Sequence, residues 1–149
     1  DRIDIRGKNG VRLKDVWADG PVSYLGLQTA GFPNLFTLVG AQSGAAFCNI
    51  AVCGGLQVDW VSKMLRDMRD RKLSYSEPLE QAQAKWEADI YREFQRTLMA
   101  EGDAWWVKVK TNPDGTKTRR ALTYLSGGQE YRAICDRVAY CDYEGFDLR

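Results

Sequence analysis

The stretch Leu35-Phe36-Thr37-Leu38-Val39, Gly40-Ala41-Gln42-Ser43-Gly44-Ala45-Ala46, then Phe47 onward decides how the chain is read. Its first five residues are almost continuously apolar, which predicts a short strand buried on both faces. The next seven are small or polar and make a loop. Beyond them Leu56, Trp60, Met64 and Met68 recur every fourth residue, with Val61 and Leu65 beside them, the spacing of one apolar helix face. Strand, small-residue loop, helix is the expected unit. Small residues let a backbone approach a flat ring or a phosphate closely. N–H groups at the helix start would face the same spot and favour negative charge there. A turn that simply packs tightly uses the same residue types, so both uses stay open.

Toward the amino end, Ile3-Asp4-Ile5-Arg6 alternates as an edge strand does. Gly7-Lys8-Asn9-Gly10 supplies an Asn-Gly hairpin turn, and Val11-Arg12-Leu13 alternates again. Residues 17–31 read as loop, with Gly20-Pro21, Tyr24 and Gly26, and Phe32-Pro33-Asn34 as a turn. Toward the carboxyl end, Gly54-Gly55 weakens the first turn of the long helix by about 1 kcal/mol per Gly relative to Ala. Ser76-Glu77-Pro78 predicts a second helix start, with Ser as cap and Pro in the first turn. That helix runs to about Met99 on a stripe of Leu79, Ala82, Trp86, Ile90 and Phe94. Residues 101–120 are polar around an Asn112-Pro113-Asp114-Gly115 turn. Ala121-Leu122-Thr123-Tyr124-Leu125 is a second strand candidate. Gly127-Gly128 then breaks the chain before a third helix, about residues 129–140, with Tyr131, Ile134, Cys135 and Val138 facing in.

The composition narrows the functions. With 149 residues there is enough chain for one domain with a core. Twenty-one basic against 20 acidic residues leave +1, so no strong field would draw in nucleic acid or an anionic membrane. No apolar run reaches bilayer-spanning length. The opening Asp1-Arg2-Ile3-Asp4 lacks Met, does not read as a signal peptide, and starts as if in mid-strand, which suggests a piece of something longer. There is no His, so no Ser-His-Asp or Cys-His relay, His metal centre or His base lies within these residues. Cys48, Cys53, Cys135 and Cys141 lack the spacing of metal knuckles, so no metal site is expected. Reduced, partly buried thiols of a cytoplasmic protein are the expected state.

A second place for chemistry is Trp105-Trp106, in a charged and turn-rich segment. Two adjacent Trp there suit a lid that closes over a ligand, or a loop pinned to the core by its Trp side chains. Lys108, Lys110, Lys117, Arg119 and Arg120 make the segment basic, which fits a phosphate-bearing cofactor or a solvated loop. The Trp, Met and Leu stripes of the helices, and Trp17, read as packing.

The order of these motifs resembles the type I Baeyer–Villiger monooxygenases, the cyclohexanone and phenylacetone monooxygenase-like flavoproteins. Ile3-Asp4-Ile5-Arg6-Gly7, Leu13-Lys14-Asp15-Val16-Trp17, Gly20-Pro21, Tyr24, Gly26 and Ala30-Gly31-Phe32-Pro33-Asn34-Leu35-Phe36 look like the segment after that family's NADPH domain. Residues 40–49 and Val58-Asp59-Trp60 resemble its active-site segment. Tyr131-Arg132-Ala133-Ile134-Cys135 and Tyr143-Glu144-Gly145-Phe146-Asp147 resemble its C-terminus. The match covers essentially the whole chain.

The resemblance implies an α+β segment, mainly helical with short strands, of an α/β flavoprotein with two dinucleotide-binding domains. The chain would be the C-terminal part of the FAD-binding region, with a control loop at about residues 101–120. It implies FAD contact at Asn49 and Ile50 and nicotinamide-cofactor contact at Trp105. Ala45, Ala46, Phe47, Cys48 and Thr123 would line a ketone pocket. The implied reaction uses NADPH, FAD and O2 to insert one oxygen atom next to a ketone carbonyl. The chain departs from the family pattern at Ala41, where Pro is usual, at Gly54-Gly55-Leu56, and after Trp105, where only Asn112-Pro113, Gly115 and Lys117 remain of a usual run. No GxGxxG occurs, so both dinucleotide fingerprints are absent from this chain, and no catalytic residue is expected within it. Alone it is expected to be inactive, to hold no FAD, and to self-associate through apolar surface. The competing readings are a related flavin monooxygenase oxidising N or S atoms, and a non-enzymatic α+β interaction domain.

Overall fold

The computed structural model describes residues 3–44, 48–100, 102 and 106–149. A 3-10 turn at Lys8–Gly10 and the short α1 (Leu13–Val16) precede a long loop. Then come α2 (Ile50–Asp70), β1 (Ser76–Pro78), α3 (Glu80–Gln95), a 3-10 turn at Leu98–Ala100, β2 (Val107–Thr111), β3 (Lys117–Ala121), α4 (Gly128–Tyr140) and β4 (Phe146–Leu148). The result is mainly helical with short strands, as the sequence implies. Among the described residues no helix is long and apolar enough to cross a membrane.

The three long helices form because their apolar residues share one face. On α2 the buried set is Cys53, Gln57, Trp60, Val61, Met64 and Met68, the three- and four-residue spacing of a single stripe. Leu65 lies off it and is exposed. Trp86, Ile90 and Phe94 of α3 and Tyr131, Cys135 and Val138 of α4 complete one core with Tyr24, Leu25 and Leu27 of the loop. Its aromatic centre is specific: Trp86 stacks on Tyr124 with centroids 5.2 Å apart and planes 10° apart. Trp60 meets Tyr143 edge to face at 5.6 Å. The indole N–H groups of Trp60 and Trp86 both find partners. Trp60 Nε1 donates to the Cys135 carbonyl at 2.8 Å, and Trp86 Nε1 donates to the Gln42 carbonyl at 3.2 Å.

Several expected strands are replaced. Residues 35–39 form no strand. The Thr37 N–H donates to the Leu27 carbonyl at 2.8 Å, the Val39 N–H donates to Gln57 Oε1 at 2.6 Å, and Val39 takes φ 53°. The segment is thus tied piecewise to a loop and a side chain. Among the described residues no strand runs beside it, so its apolar run cannot become a ladder. The amino-terminal hairpin shrinks to one bridge, Arg6 with Arg12, because Leu13 is taken into α1. Its turn is as read: Asn9 and Gly10 are both left-handed, at φ 57° and 76°.

Ser76-Glu77-Pro78 is not a helix start but β1, antiparallel to β4, with Ser76 opposite Leu148. The Ser76 hydroxyl donates to Gln28 Oε1 at 2.8 Å and is not free to cap. Helix α3 therefore begins at Glu80 behind Leu79. The polar segment 101–120 contains an antiparallel hairpin, β2 with β3, pairing Val107 with Ala121 and Thr111 with Lys117. Only Ala121 of the expected strand 121–125 belongs to it. The remainder serves the loop described next.

Candidate functional site

The small-residue loop is fixed over residues 40–44 by close packing. A Cβ on Gly44 would lie 2.7 Å from the Tyr131 ring, and one on Gly40 would lie 2.8 Å from Thr37 Oγ1. Opposite them Gly26, at φ +69°, lets its backbone meet Ser43, where a Cβ would come within 2.5 Å. For this half of the loop, tight packing is what the small residues do.

Gln42 is the hub. It is fully buried and left-handed at φ 66°. Its Oε1 accepts from the Ser23 N–H at 2.8 Å, and its own N–H donates to the Leu122 carbonyl at 2.7 Å. The Tyr124 N–H and the Thr123 hydroxyl both donate to the Ser43 carbonyl, at 3.1 and 3.4 Å. Residues 122–124 thereby zip onto the loop, and Thr123 stands beside it despite a separation of 80 residues. The Gln42 amide nitrogen and the Ser43 hydroxyl are buried without a hydrogen-bond partner among the described residues.

The loop leads into α2 through Asn49. Its Oδ1 accepts from the Ala51 and Val52 N–H groups at 3.0 and 3.3 Å, so the chain caps its own helix start. Two of the N–H groups expected to face a ligand are therefore already engaged. What the helix start presents is apolar: Ile50 is 66% and Val52 58% exposed. A flat aromatic ring laid there would meet Asn49 and Ile50 at the backbone and apolar side chains beside them. In that respect the residues fit a flavin. Ala45, Ala46, Phe47 and Trp105 lie outside the described residues.

The expectation of reduced thiols is corrected for two cysteines. Cys48 and Cys53 form a disulfide, with Cα atoms 6.2 Å apart. The Asn49 cap turns the chain so that residue 48 stands against the first turn of α2, where residue 53 points back at it. Cys135 and Cys141 are free. Burial pushes the Cys135 thiol up to about 12, so it is a packing group rather than a nucleophile.

The basic segment is held by its own chain. Lys110 pairs with Asp19 at 2.6 Å, and Arg120 pairs with Glu87 at 2.7 Å while donating to the Gly20 carbonyl at 3.0 Å. Arg119 donates to the Ala100 and Gly102 carbonyls at 2.9 and 3.0 Å. These three cations secure the hairpin rather than wait for a phosphate. Trp106 packs half-buried against the core, the pinning use of a loop Trp. An apolar groove of about 470 Å³ runs between α2 and α4, lined by Leu56, Trp60, Cys135 and Ala139. None of Cys48, Asn49, Ile50 or Thr123 lines it.

Sequence reading missed Gln42, Gln57 and the hairpin. The alternation Val107-Lys108-Val109-Lys110 before an Asn-Pro-Asp-Gly turn was the available signal for the hairpin. Gln57 bridges Val39 and Tyr131, whose hydroxyl goes on to the Leu25 carbonyl, and no local pattern announces that.

Among known proteins, the chain is 57% identical over 148 residues to 2-oxo-Δ3-4,5,5-trimethylcyclopentenylacetyl-CoA monooxygenase of Pseudomonas putida, covering 99% of this chain and 27% of that protein. It is 35% identical over 147 residues to a phenazine N-monooxygenase of Lysobacter antibioticus (99% and 26%). It is 30% identical over 148 residues to cyclohexanone 1,2-monooxygenase of an Acinetobacter species (99% and 26%). The fold superposes on a crystal structure of OTEMO in complex with FAD and NADP with TM-score 0.89 at 56% identity, covering all of this chain and 28% of that one. The chain matches a segment of the Baeyer–Villiger monooxygenases. It spans about 27% of the length of the curated relatives it matches. No protein-family profile matches it. The Baeyer–Villiger resemblance thus extends over the loop, α2, the hairpin and α4 together.

Proposed function

We propose that this chain is the C-terminal part of the FAD-binding region of a monooxygenase that uses FAD and NADPH to insert one atom of O2 next to a ketone carbonyl, giving an ester or a lactone. The observation that carries the proposal is likeness along the whole chain, at 56% identity, to a structure holding FAD and NADP. The convergence of Thr123 on the loop that leads into the exposed start of α2 supports it.

When bound, FAD supplies the redox and oxygen chemistry. This chain's residues bind and orient. Asn49 holds the helix start against which Ile50 offers backbone and apolar surface to the ring. The family resemblance assigns Ala45, Ala46, Phe47, Cys48 and Thr123 to the ketone side of the ring. By the family resemblance Trp105 is the residue assigned to nicotinamide contact, and the hairpin that follows it in sequence is β2 with β3. The test is NADPH consumption by the full-length flavoprotein with cyclic and acyclic ketones. Ketone-dependent consumption with ester or lactone product is expected. A flavin-free protein, or one whose NADPH oxidation no ketone stimulates, contradicts the proposal.

A second reading, oxygen transfer to a ring nitrogen, is favoured by the 35% identity to a phenazine N-monooxygenase. Product analysis separates the two, since an N-oxide keeps the carbon skeleton intact. By itself the 149-residue chain leaves Leu38, Ile50, Val52, Leu98 and Tyr140 exposed, so it self-associates and holds no stoichiometric FAD. Light scattering and flavin absorbance on the isolated chain check this. A monomer, or a yellow chain, contradicts it.

A further inference from the structure

We infer that Cys48 and Cys53 are a reversible redox-modification site at the wall of the candidate pocket, switched between dithiol and disulfide by hydroperoxides and small thiols. Four observations carry this. The two residues are bonded in the structure, five positions apart across the Asn49 cap. They differ in access: Cys53 is 1% exposed, whereas Cys48 is half-buried and open to a small reagent. The site is a junction, since Cys53 Sγ lies 3.8 Å from the Gly44 carbonyl and Cys48 Sγ lies 3.4 Å from the Cβ position of Gly128 at the start of α4. Neither remaining thiol is a competing partner by placement, because Cys135 is buried in the core and Cys141 is on the surface after α4.

The chemistry balances with hydrogen peroxide as oxidant. The Cys48 thiolate attacks one peroxide oxygen, the O–O bond breaks, and a sulfenic acid and water form. The Cys53 thiol attacks the Cys48 sulfur, the S–O bond breaks, and a second water leaves. Two S–H bonds are lost, one S–S bond is made, and two electrons pass to the peroxide. A small dithiol reverses the step by thiol–disulfide exchange. In the oxidised state residue 48 is stapled to the first turn of α2. In the reduced state Cys48 presents a free thiol to the pocket.

The consequence for the pocket rests on the function proposed above, whereas the redox chemistry does not. Trypsin releases both cysteines, and no others, in the peptide of residues 15–63. The native full-length flavoprotein is treated with hydrogen peroxide or with dithiothreitol, quenched in acid, denatured, alkylated, and that peptide is weighed. We expect no label after peroxide, two after dithiothreitol, and the same counts on a second cycle. Two labels after peroxide, or none after dithiothreitol, overturn the inference. With a turned-over ketone, reduction is expected to shift KM by about tenfold, the scale of one altered pocket contact. Cys53→Ser, which leaves Cys48 free, is expected to show the reduced KM and no response to dithiothreitol. A wild-type KM that ignores the redox state overturns the switch. If no ketone is turned over in either state, the function proposal fails and the label counts still decide the redox site.

Discussion

The loop at residues 40–44 and the β2–β3 hairpin both carry sequence features that point to ligand contact, and the fold holds them in opposite ways. The loop is set by backbone-to-ring contacts and buried hydrogen bonds around Gln42. The hairpin is buried only at its base, at Val107 and Ala121, and is otherwise fastened by ion pairs at the surface. Packed interiors resist displacement, whereas surface ion pairs contribute little and weaken in salt. The difference ranks the two: the loop over residues 40–44 is held by a packed interior, and the hairpin more by its surface.

The comparison breaks most visibly at Gly26. Gly26→Ala adds a methyl 2.5 Å from Ser43 at a left-handed φ, and about 3 kcal/mol of stability is expected to be lost. Denaturant unfolding checks this, and a loss under about 1 kcal/mol means the loop yields. Next in size is Cys53→Ser. Opening a loop of this length is expected to make the substitution about 2 kcal/mol more costly in oxidising than in reducing buffer, where only the burial of the serine hydroxyl remains.

Glu77 tests the frame behind the loop. Burial would raise its carboxyl, but Lys8 at 2.9 Å, the Tyr75 hydroxyl and the Gly31 N–H at 2.6 Å together hold it below its ordinary 4.5. A folded value below the unfolded one means the stabilisation is full above pH 4.5 and is lost as pH falls through the folded value. Glu77→Gln is expected to cost about 1–2 kcal/mol at neutral pH, shrinking toward zero in acid. A cost independent of pH contradicts the account.

Arg120→Ala gives the smallest global effect, under about 1 kcal/mol. It is nevertheless expected to raise amide exchange across residues 107–121 while leaving α2 unchanged, with the difference from wild type shrinking in salt, which already weakens the Arg120–Glu87 pair. Equal exchange in both regions would erase the contrast.

The helices and the core were legible because their apolar residues repeat at helical spacing, as Trp60, Met64 and Met68 do. Residues 35–39 misled because an apolar run states burial but not a partner strand. Ser76-Glu77-Pro78 misled because a cap and a strand end use the same residues, and only Gln28 and β4, both far away in sequence, decide between them. Of the candidate site, the ordered motifs pointed to Asn49, Ile50 and Thr123, and the structure places Asn49 and Ile50 at the start of α2 and Thr123 beside Ser43. Gln42's role was not, because its partners come from residues 23, 86 and 122.

The central claim is that the packed loop serves oxygen insertion beside a ketone carbonyl. The direct measurement is turnover of the full-length flavoprotein with NADPH and a cyclic ketone under 18O2, followed by mass spectrometry of the product. The account predicts a lactone carrying one 18O atom at the ring oxygen. Recovered ketone alone, or label found only on a nitrogen or sulfur substrate, would contradict it.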